Sequence, residues 1–113
     1  MHRYKVRPGY GSDKLLIEFN YDPTEKLHAD LNAVLKGAGL IHHSIKDYFM
    51  IPRYKTPTGP FELDHDEWDF IWIHAEENQD AIHYIDQLLQ RSGLFQKEEV
   101  DFKQYEKIDE KVE

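Results

Sequence analysis

Histidine is the residue type in this chain that most readily suggests chemistry. Seven of the 113 residues are histidines, and an unperturbed imidazole changes its charge near neutral pH. Residues 42–44 read His-His-Ser and contain one His-x-Ser triplet. Two-histidine phosphoesterases need a second triplet with serine or threonine at its third position, and residues 74–76, His-Ala-Glu, do not supply it. The sequence therefore argues against this class of enzyme.

Metal and acid–base sites have weak support. Residues 64–66 read Asp-His-Asp, three adjacent ligand types in a loop that can hold a divalent cation adventitiously, but no His-Glu-x-x-His motif is present. His74 ends an apolar segment and is placed to act as a general base, although a hydrogen-bonded histidine at a strand end is the more common arrangement. We predict no metal site and no cofactor.

The chain offers few nucleophiles. It has no cysteine, which excludes disulfides, thiolate catalysis and thiolate metal ligation. Its three serines, Ser12, Ser44 and Ser92, lie outside any Gly-x-Ser-x-Gly elbow. The glycines at 9–11 and 37–39 lack the Gly-Lys-Ser/Thr ending of a phosphate loop. An enzymatic activity is uncertain on these grounds, and a non-enzymatic role is favoured.

Negative charge is concentrated in the middle of the chain. Residues 56–90 contain nine acidic residues and no lysine or arginine, a net charge of −9, whereas the whole chain carries −8. Such a surface repels phosphate backbones, which argues against nucleic acid as a partner, but it speeds encounter with a basic protein. The alternative is a solvated face that maintains solubility. We predict a contact surface for a basic protein partner, formed by Glu62, Asp64, Asp66, Glu67, Asp69, Glu76 and Glu77.

Hydrophobic periodicity predicts the elements that would position these residues. Residues 14–21 alternate in a period of two, typical of a strand. Asp22 is then placed to cap a helix whose stripe recurs at three- and four-residue spacing up to the glycines at 37 and 39. A second strand is predicted at 43–51, a loop or wide hairpin at 52–66, and a third strand, apolar on both faces, at 67–75.

The second half of the chain repeats this order. Asn78 is placed to cap a second helix that ends at Gly93, and Val100 and Phe102 indicate a last strand. The pattern strand-helix-strand-strand-helix-strand predicts a ferredoxin-like α+β domain over residues 1–106, with an antiparallel sheet and two helices on one face. Residues 2–7 are expected to add an edge strand, and residues 107–113 to form a frayed charged tail.

The aromatic third strand supports a second hypothesis. RNA-recognition motifs share this topology, but residues 56–90 lack the basic side chains that RNA binding needs. A large apolar face is unusual on a monomer, which suggests a homodimer of the dimeric α+β barrel type that binds or transforms a small apolar molecule. The candidate pocket residues are Phe19, Trp68, Phe70, Trp72 and His74.

The preferred function is a non-enzymatic protein-interaction module, of the kind an inhibitor or immunity protein represents, which masks a basic partner. The absence of an apolar run of about 20 residues argues against a membrane span. The N-terminus lacks the apolar core of a signal peptide, so we expect a cytoplasmic location.

Overall fold

The computed structural model describes residues 1–9, 11–22, 24, 26–40, 53–57, 59–65 and 70–105.

The first two strands of the sheet form a hairpin. Strand β1, His2–Pro8, pairs antiparallel with β2, Leu15–Phe19. The alternation that predicted β2 is confirmed, since Ile17 and Phe19 are buried while Glu18 between them is not.

Helix α1, Lys26–Gly37, follows β2. The Asp22 carboxylate accepts hydrogen bonds from the backbone amides of Thr24 (2.9 Å) and Leu27 (3.1 Å), which satisfies donors that a helix start leaves unpaired. Leu31 lies fully buried in the middle of its apolar stripe. Two residues after the helix, Gly39 has a positive φ of 75°, and its amide donates a hydrogen bond back to the carbonyl of Lys36 in the last turn.

A second hairpin occupies the region for which the sequence predicted a loop or a wide hairpin tip. Strand β3, Arg53–Thr56, pairs antiparallel with β4, Gly59–His65. Of the two alternatives the hairpin is found, but its strands extend through most of the segment: Phe61 and Leu63 alternate with acidic residues and are buried, a strand pattern that the surrounding prolines and glycine obscured. The strand predicted at 43–51 lies outside the described residues.

The last elements are β5, Ile71–His74, helix α2, Gln79–Ser92, and β6, Phe95–Lys97. The last strand lies earlier in the chain than predicted. Val100 and Phe102, which indicated it, both follow β6, and Phe102 begins a short 3-10 helix, Phe102–Tyr105. Only one apolar residue, Phe95, marks β6, which is too little for a periodic signal. Of the helices described, none is long and apolar enough to cross a membrane.

The six strands form one mixed sheet in the order β3-β4-β5-β2-β1-β6. An α+β fold with two helices is confirmed, but the ferredoxin-like strand order is not. The N-terminal strand does not lie at an edge as predicted; β1 sits between β2 and β6. Its pairing with β6 is parallel, so the sheet is not purely antiparallel. Both edges of β1 can pair with a neighbouring strand because its only proline, the residue type that lacks a backbone N–H, is its last residue, Pro8.

One face of the sheet carries the hydrophobic core. The side chains at alternating positions of the central strands point to the same side as the buried residues of α1 and α2, and all belong to one buried cluster. The cross-strand row Val6, Ile17, Ile73 and Leu63 runs through its middle. Burial of this row removes apolar surface from water and is the main favourable contribution to folding.

The opposite face of the sheet is mostly polar. Its apolar members in the described strands are Leu16 and the half-buried Trp72. The large apolar face that suggested a homodimer is therefore not found among the described strands, and a homodimer stays a prediction. The other side chains described on this face are Arg3, Lys5, Arg7, Glu18, Glu62, Asp64, His74 and Gln96.

A buried polar network joins β1, α2 and β6. The Tyr4 hydroxyl donates to the Asp86 carboxylate at 2.6 Å, and Lys97 and Gln90 donate to the same carboxylate at 2.8 and 3.1 Å. Burial alone would raise the pKa of Asp86, but the hydrogen bonds from Lys97, Tyr4 and Gln90 together hold it below its usual value. Burial and the Asp86 carboxylate raise the pKa of the Tyr4 phenol.

Candidate functional site

Several of the predicted contact residues line one cleft, which we call the acidic cleft. It has a volume of about 520 Å³ and lies where β5 ends and α2 begins. Its walls come from β4, from the end of β5 and from the turn between β5 and α2. The lining residues are Phe61, Glu62, His74, Ala75, Glu76, Glu77 and Asn78.

The antiparallel register of β4 and β5 brings the first acid of the cleft beside the histidine. Glu62 and His74 are directly opposite each other in this pair, and their side chains approach to 3.6 Å between Oε1 and Nε2. Both side chains are about one-quarter exposed, so the pair is reachable from solvent. This separation is that of an ion pair when the imidazole is protonated and is too long for a good hydrogen bond.

The turn after β5 is held by hydrogen bonds from the backbone amide of Asn78 and from the side chain of Gln79. The amide of Asn78 donates to the carbonyl of Ala75 at 3.0 Å. The Gln79 side chain donates to the carbonyls of Ala75 (3.0 Å) and Leu15 (3.2 Å) and accepts from the Leu15 amide (2.6 Å). Gln79 thus links the turn to β2, which fixes the backbone that carries Glu76 and Glu77.

The β3–β4 turn packs against Asn78, one of the residues that line the cleft. Gly59 has a φ of +133°, a conformation that side-chain-bearing residues rarely adopt. A Cβ at this position would lie 2.3 Å from the side-chain nitrogen of Asn78. The glycine therefore allows the hairpin to approach the first residue before α2, and Thr56 stabilises the turn through a hydrogen bond to the Gly59 carbonyl.

The charge of the cleft suits a cationic ligand. Glu76 and Glu77 are exposed and stand next to the N-terminus of α2, where the helix dipole stabilises negative charge. Together with Glu62 they give the lining of the cleft three carboxylate side chains. No serine, threonine, tyrosine, cysteine or lysine is among the described lining residues. Within the described part of the chain, no group of three or more histidine, aspartate or glutamate side chains is arranged to hold a metal ion.

The structure divides the predicted contact residues into groups. It brings three of them, Glu62, Glu76 and Glu77, together in the cleft. Asp64 lies two residues further along β4, on the polar face and opposite Trp72. The remaining three, Asp66, Glu67 and Asp69, lie outside the described residues.

The described residues of the alternative pocket do not all lie on one face of the sheet. Phe19 is 1% exposed and belongs to the core between sheet and helices, whereas Trp72 and His74 lie on the opposite face. Phe70 is exposed and packs against Tyr21, with ring centroids 5.3 Å apart. Trp68 lies outside the described residues. Of this set, only His74 lines the acidic cleft.

Two residues that organise the cleft were not singled out for this role by the sequence. Gln79 anchors the turn and Asn78 packs against Gly59, and neither belongs to a motif. Asn78 was expected to cap α2, but its side chain makes no capping hydrogen bond. Its neighbour in space comes from a hairpin 19 residues earlier, so only the tertiary structure shows the contact.

Comparison with known protein families, with curated proteins and with solved structures finds no significant match to this chain.

Proposed function

We propose that this protein is a non-enzymatic interaction module whose acidic cleft receives basic side chains of a protein partner. The observation that carries the proposal is the convergence of Glu62, Glu76 and Glu77, from two separate elements, on one cleft. An inhibitor or immunity-type protein that masks a basic partner would use such a surface.

The shape and chemistry of the cleft favour recognition over catalysis. Its volume of about 520 Å³ accommodates an arginine or lysine side chain with part of the backbone that carries it. Carboxylates bind guanidinium groups through charge-assisted hydrogen bonds, which are stronger than neutral ones. His74 adds a further polar contact, and no hydroxyl, thiol or amine side chain is among the described lining residues.

Glu76 and Glu77 are the residues on which a test should rest. The Glu62 carboxylate already lies 3.6 Å from the His74 imidazole, so it is partly engaged within the fold. Glu76 and Glu77 are exposed in a turn whose backbone is fixed independently of their carboxylates. Their neutralisation should change the surface and leave the fold intact.

The test compares two double variants that remove the same charge. Glu76→Gln with Glu77→Gln neutralises the cleft, and Glu99→Gln with Asp101→Asn neutralises two exposed acids on the segment after β6. Each variant and the wild-type chain serve as bait in extracts of the native host, and captured proteins are identified by mass spectrometry. The expected result is a basic protein captured by the wild type and the control variant but lost or strongly reduced with the cleft variant.

Association kinetics with the captured protein then test the electrostatic part. Long-range attraction is screened over about 8 Å at physiological ionic strength, so the wild-type association rate should fall steeply as salt rises. The cleft variant should associate more slowly and with a flatter salt dependence. Equal effects of the two double variants would contradict the proposal, because only net charge would then matter.

A further inference from the structure

A second cleft lies at the opposite end of the sheet from the acidic cleft. It is formed where β1 begins, where β2 ends and where α2 ends, and its volume is about 660 Å³. This volume is within the range of small-molecule sites. Its described lining residues are Met1, His2, Arg3, Asn20, Tyr21, Asp22, Thr24, Lys26, Asp30, Gly93 and Leu94.

The rim of this cleft gathers exposed apolar side chains. Five large hydrophobic residues are exposed in the described part of the chain, and three of them, Met1, Tyr21 and Leu94, line the cleft. A fourth, Phe70, packs its ring against Tyr21 at 5.3 Å. The fifth lies elsewhere, in the 3-10 helix. Single exposed apolar residues are ordinary, but a contiguous patch around a concavity is typical of a binding site.

The carboxylates of this cleft are occupied by the fold itself. Asp22 accepts hydrogen bonds from Thr24 and Leu27 at the start of α1, and Asp30 accepts from His2 at 2.7 Å. Both side chains are 18% exposed. The hydrogen bonds from Thr24 lower the pKa of Asp22, and the bond from His2 lowers that of Asp30. These acids are therefore structural and offer little to a ligand.

The cations of the cleft remain accessible. Lys26 keeps 71% of its side chain exposed and Arg3 keeps 58%. Each has a carboxylate neighbour, at 3.5 Å for Lys26 and Asp30 and at 3.4 Å for Arg3 and Glu98. Surface ion pairs of this kind are weak, and a guanidinium or ammonium group has further donors to share. The most accessible charges in the cleft are thus positive, beside an apolar rim.

We propose that this second cleft binds a small amphipathic carboxylate. Its anionic head contacts the exposed cations of the lining, Arg3 and Lys26, and its aromatic or alkyl body lies against Tyr21, Leu94 and Met1. The proposal is independent of the acidic cleft, since the two sites share no lining residue. The positive charges of Arg3 and Lys26 favour an anionic head group, and the exposed apolar side chains of the rim favour an aromatic or alkyl body.

Three probes that share a phenylbutyl group and differ only in their head group separate the contribution of charge from that of apolar contact. The probes are 4-phenylbutyrate, 4-phenylbutanol and 4-phenylbutylammonium, titrated at pH 7 and low salt into the isotopically labelled full chain and followed by amide NMR shifts. The expected shifts saturate and concentrate at residues 2–3, 20–22 and 93–94. The carboxylate should bind about fivefold more tightly than the alcohol and at least about tenfold more tightly than the ammonium probe.

Matched variants locate the site. Arg3→Gln or Lys26→Gln should weaken the carboxylate about threefold and leave the alcohol nearly unchanged, whereas Leu94→Ser should weaken both probes. Lys36→Gln, at the other end of α1, and Phe102→Ser, on the 3-10 helix, are the controls and should change neither. Circular dichroism and thermal melts verify that every variant is folded.

Several outcomes would overturn the proposal. Equal binding of the ammonium probe removes the role of the two cations. Shifts that fail to saturate, or that spread over the whole chain, remove the site. Shifts at these residues that depend on protein concentration without any probe assign the patch to a second copy of the chain instead.

Discussion

The hydrogen bond between Tyr4 and Asp86 offers the sharpest test of how the N-terminal strand is held in the sheet. Tyr4→Phe deletes one hydroxyl and leaves the ring in place among its aromatic neighbours, Phe19 and Phe95, whose centroids lie 6.1 and 6.4 Å away. The change therefore removes a polar contact without opening a large cavity. Because Tyr4 is fully buried, water does not replace the lost donor.

The expected cost follows from the geometry. A 2.6 Å bond from a buried hydroxyl to a carboxylate is charge-assisted, and such bonds contribute about 1.5–3 kcal/mol. Lys97→Gln is the matched comparison: its ammonium group bonds to the same carboxylate, but 40% of the side chain is exposed. Solvent screening reduces that contribution to about 0–1 kcal/mol. Tyr4→Phe should therefore destabilise the fold clearly more than Lys97→Gln.

Urea unfolding at pH 7 measures both costs, and a double-mutant cycle with Asp86→Asn isolates the bond. The cost of Tyr4→Phe plus Asp86→Asn should be about 1–2 kcal/mol less than the sum of the single costs. Additive costs, or a loss below about 0.5 kcal/mol for Tyr4→Phe, would refute the reasoning. The free energy of unfolding would then not depend on this network.

The same network predicts a pH dependence with a definite sign. The pKa of Asp86 is lower in the folded chain than its usual value of 3.8, so its stabilising contribution is present above that pH and is lost as the pH falls through the folded value. The stability difference between wild type and Asp86→Asn should be constant between about pH 5 and 8 and should shrink below about pH 4. A difference that grows on acidification would contradict the assignment.

Two further predictions concern the hairpin and the helices. Gly59→Ala should cost about 1–3 kcal/mol, because its φ is strained for alanine and the new Cβ would meet Asn78, whereas Gly37→Ala meets no atom within 4 Å and should be neutral or slightly stabilising. Denaturant melts of both variants decide this. Leu31→Ala and Ile85→Ala should each cost about 2–5 kcal/mol, since both side chains are fully buried; losses below about 1 kcal/mol for both would show that the helices do not pack as described.

Helices were predictable because their signal is long and redundant. The stripe of α1 repeats over three turns and is bounded by Asp22 at its start and Gly39 at its end, so several local features agree. The short strand β6 has no such redundancy. Its three residues contain one apolar side chain, Phe95, and its partner is a strand more than 90 residues earlier in the chain. No local pattern encodes such a pairing.

The position of β1 shows a different limit. Alternation of Tyr4 and Val6 with basic residues identifies a strand, but it does not distinguish an edge strand from an internal one. That difference depends on whether a second strand pairs with its other edge, and here β6 does so in parallel. A basic residue is acceptable in an internal strand when an acid on the neighbouring strand pairs with it. Glu18 lies opposite Lys5 and diagonally from Arg7, and it forms an ion pair with Arg7 at 2.6 Å.

The candidate site was only partly predictable for the same reason. Residue types identified Glu62, Glu76, Glu77 and His74 as chemically interesting, and the structure places all four in one cleft. Their convergence depends on the β4–β5 register, which the sequence does not supply, because its pattern predicts a loop or a wide hairpin tip where β4 lies. For the third strand, apolar residues on both faces left the orientation of Trp72 open. Its cross-strand neighbours Glu18 and Asp64 now place it on the polar face.

The arrangement of strands also separates charge across the molecule. Three basic residues of β1 lie on the polar face, and two acids, Glu18 and Glu98, neutralise part of their charge within the fold. The acids Glu76 and Glu77 lie at the far end of the sheet from Arg3 and Lys26. If the two proposals hold, this distribution of charge would help to orient a basic protein toward the acidic cleft before contact, and would leave the opposite end of the sheet as the site for a small anion.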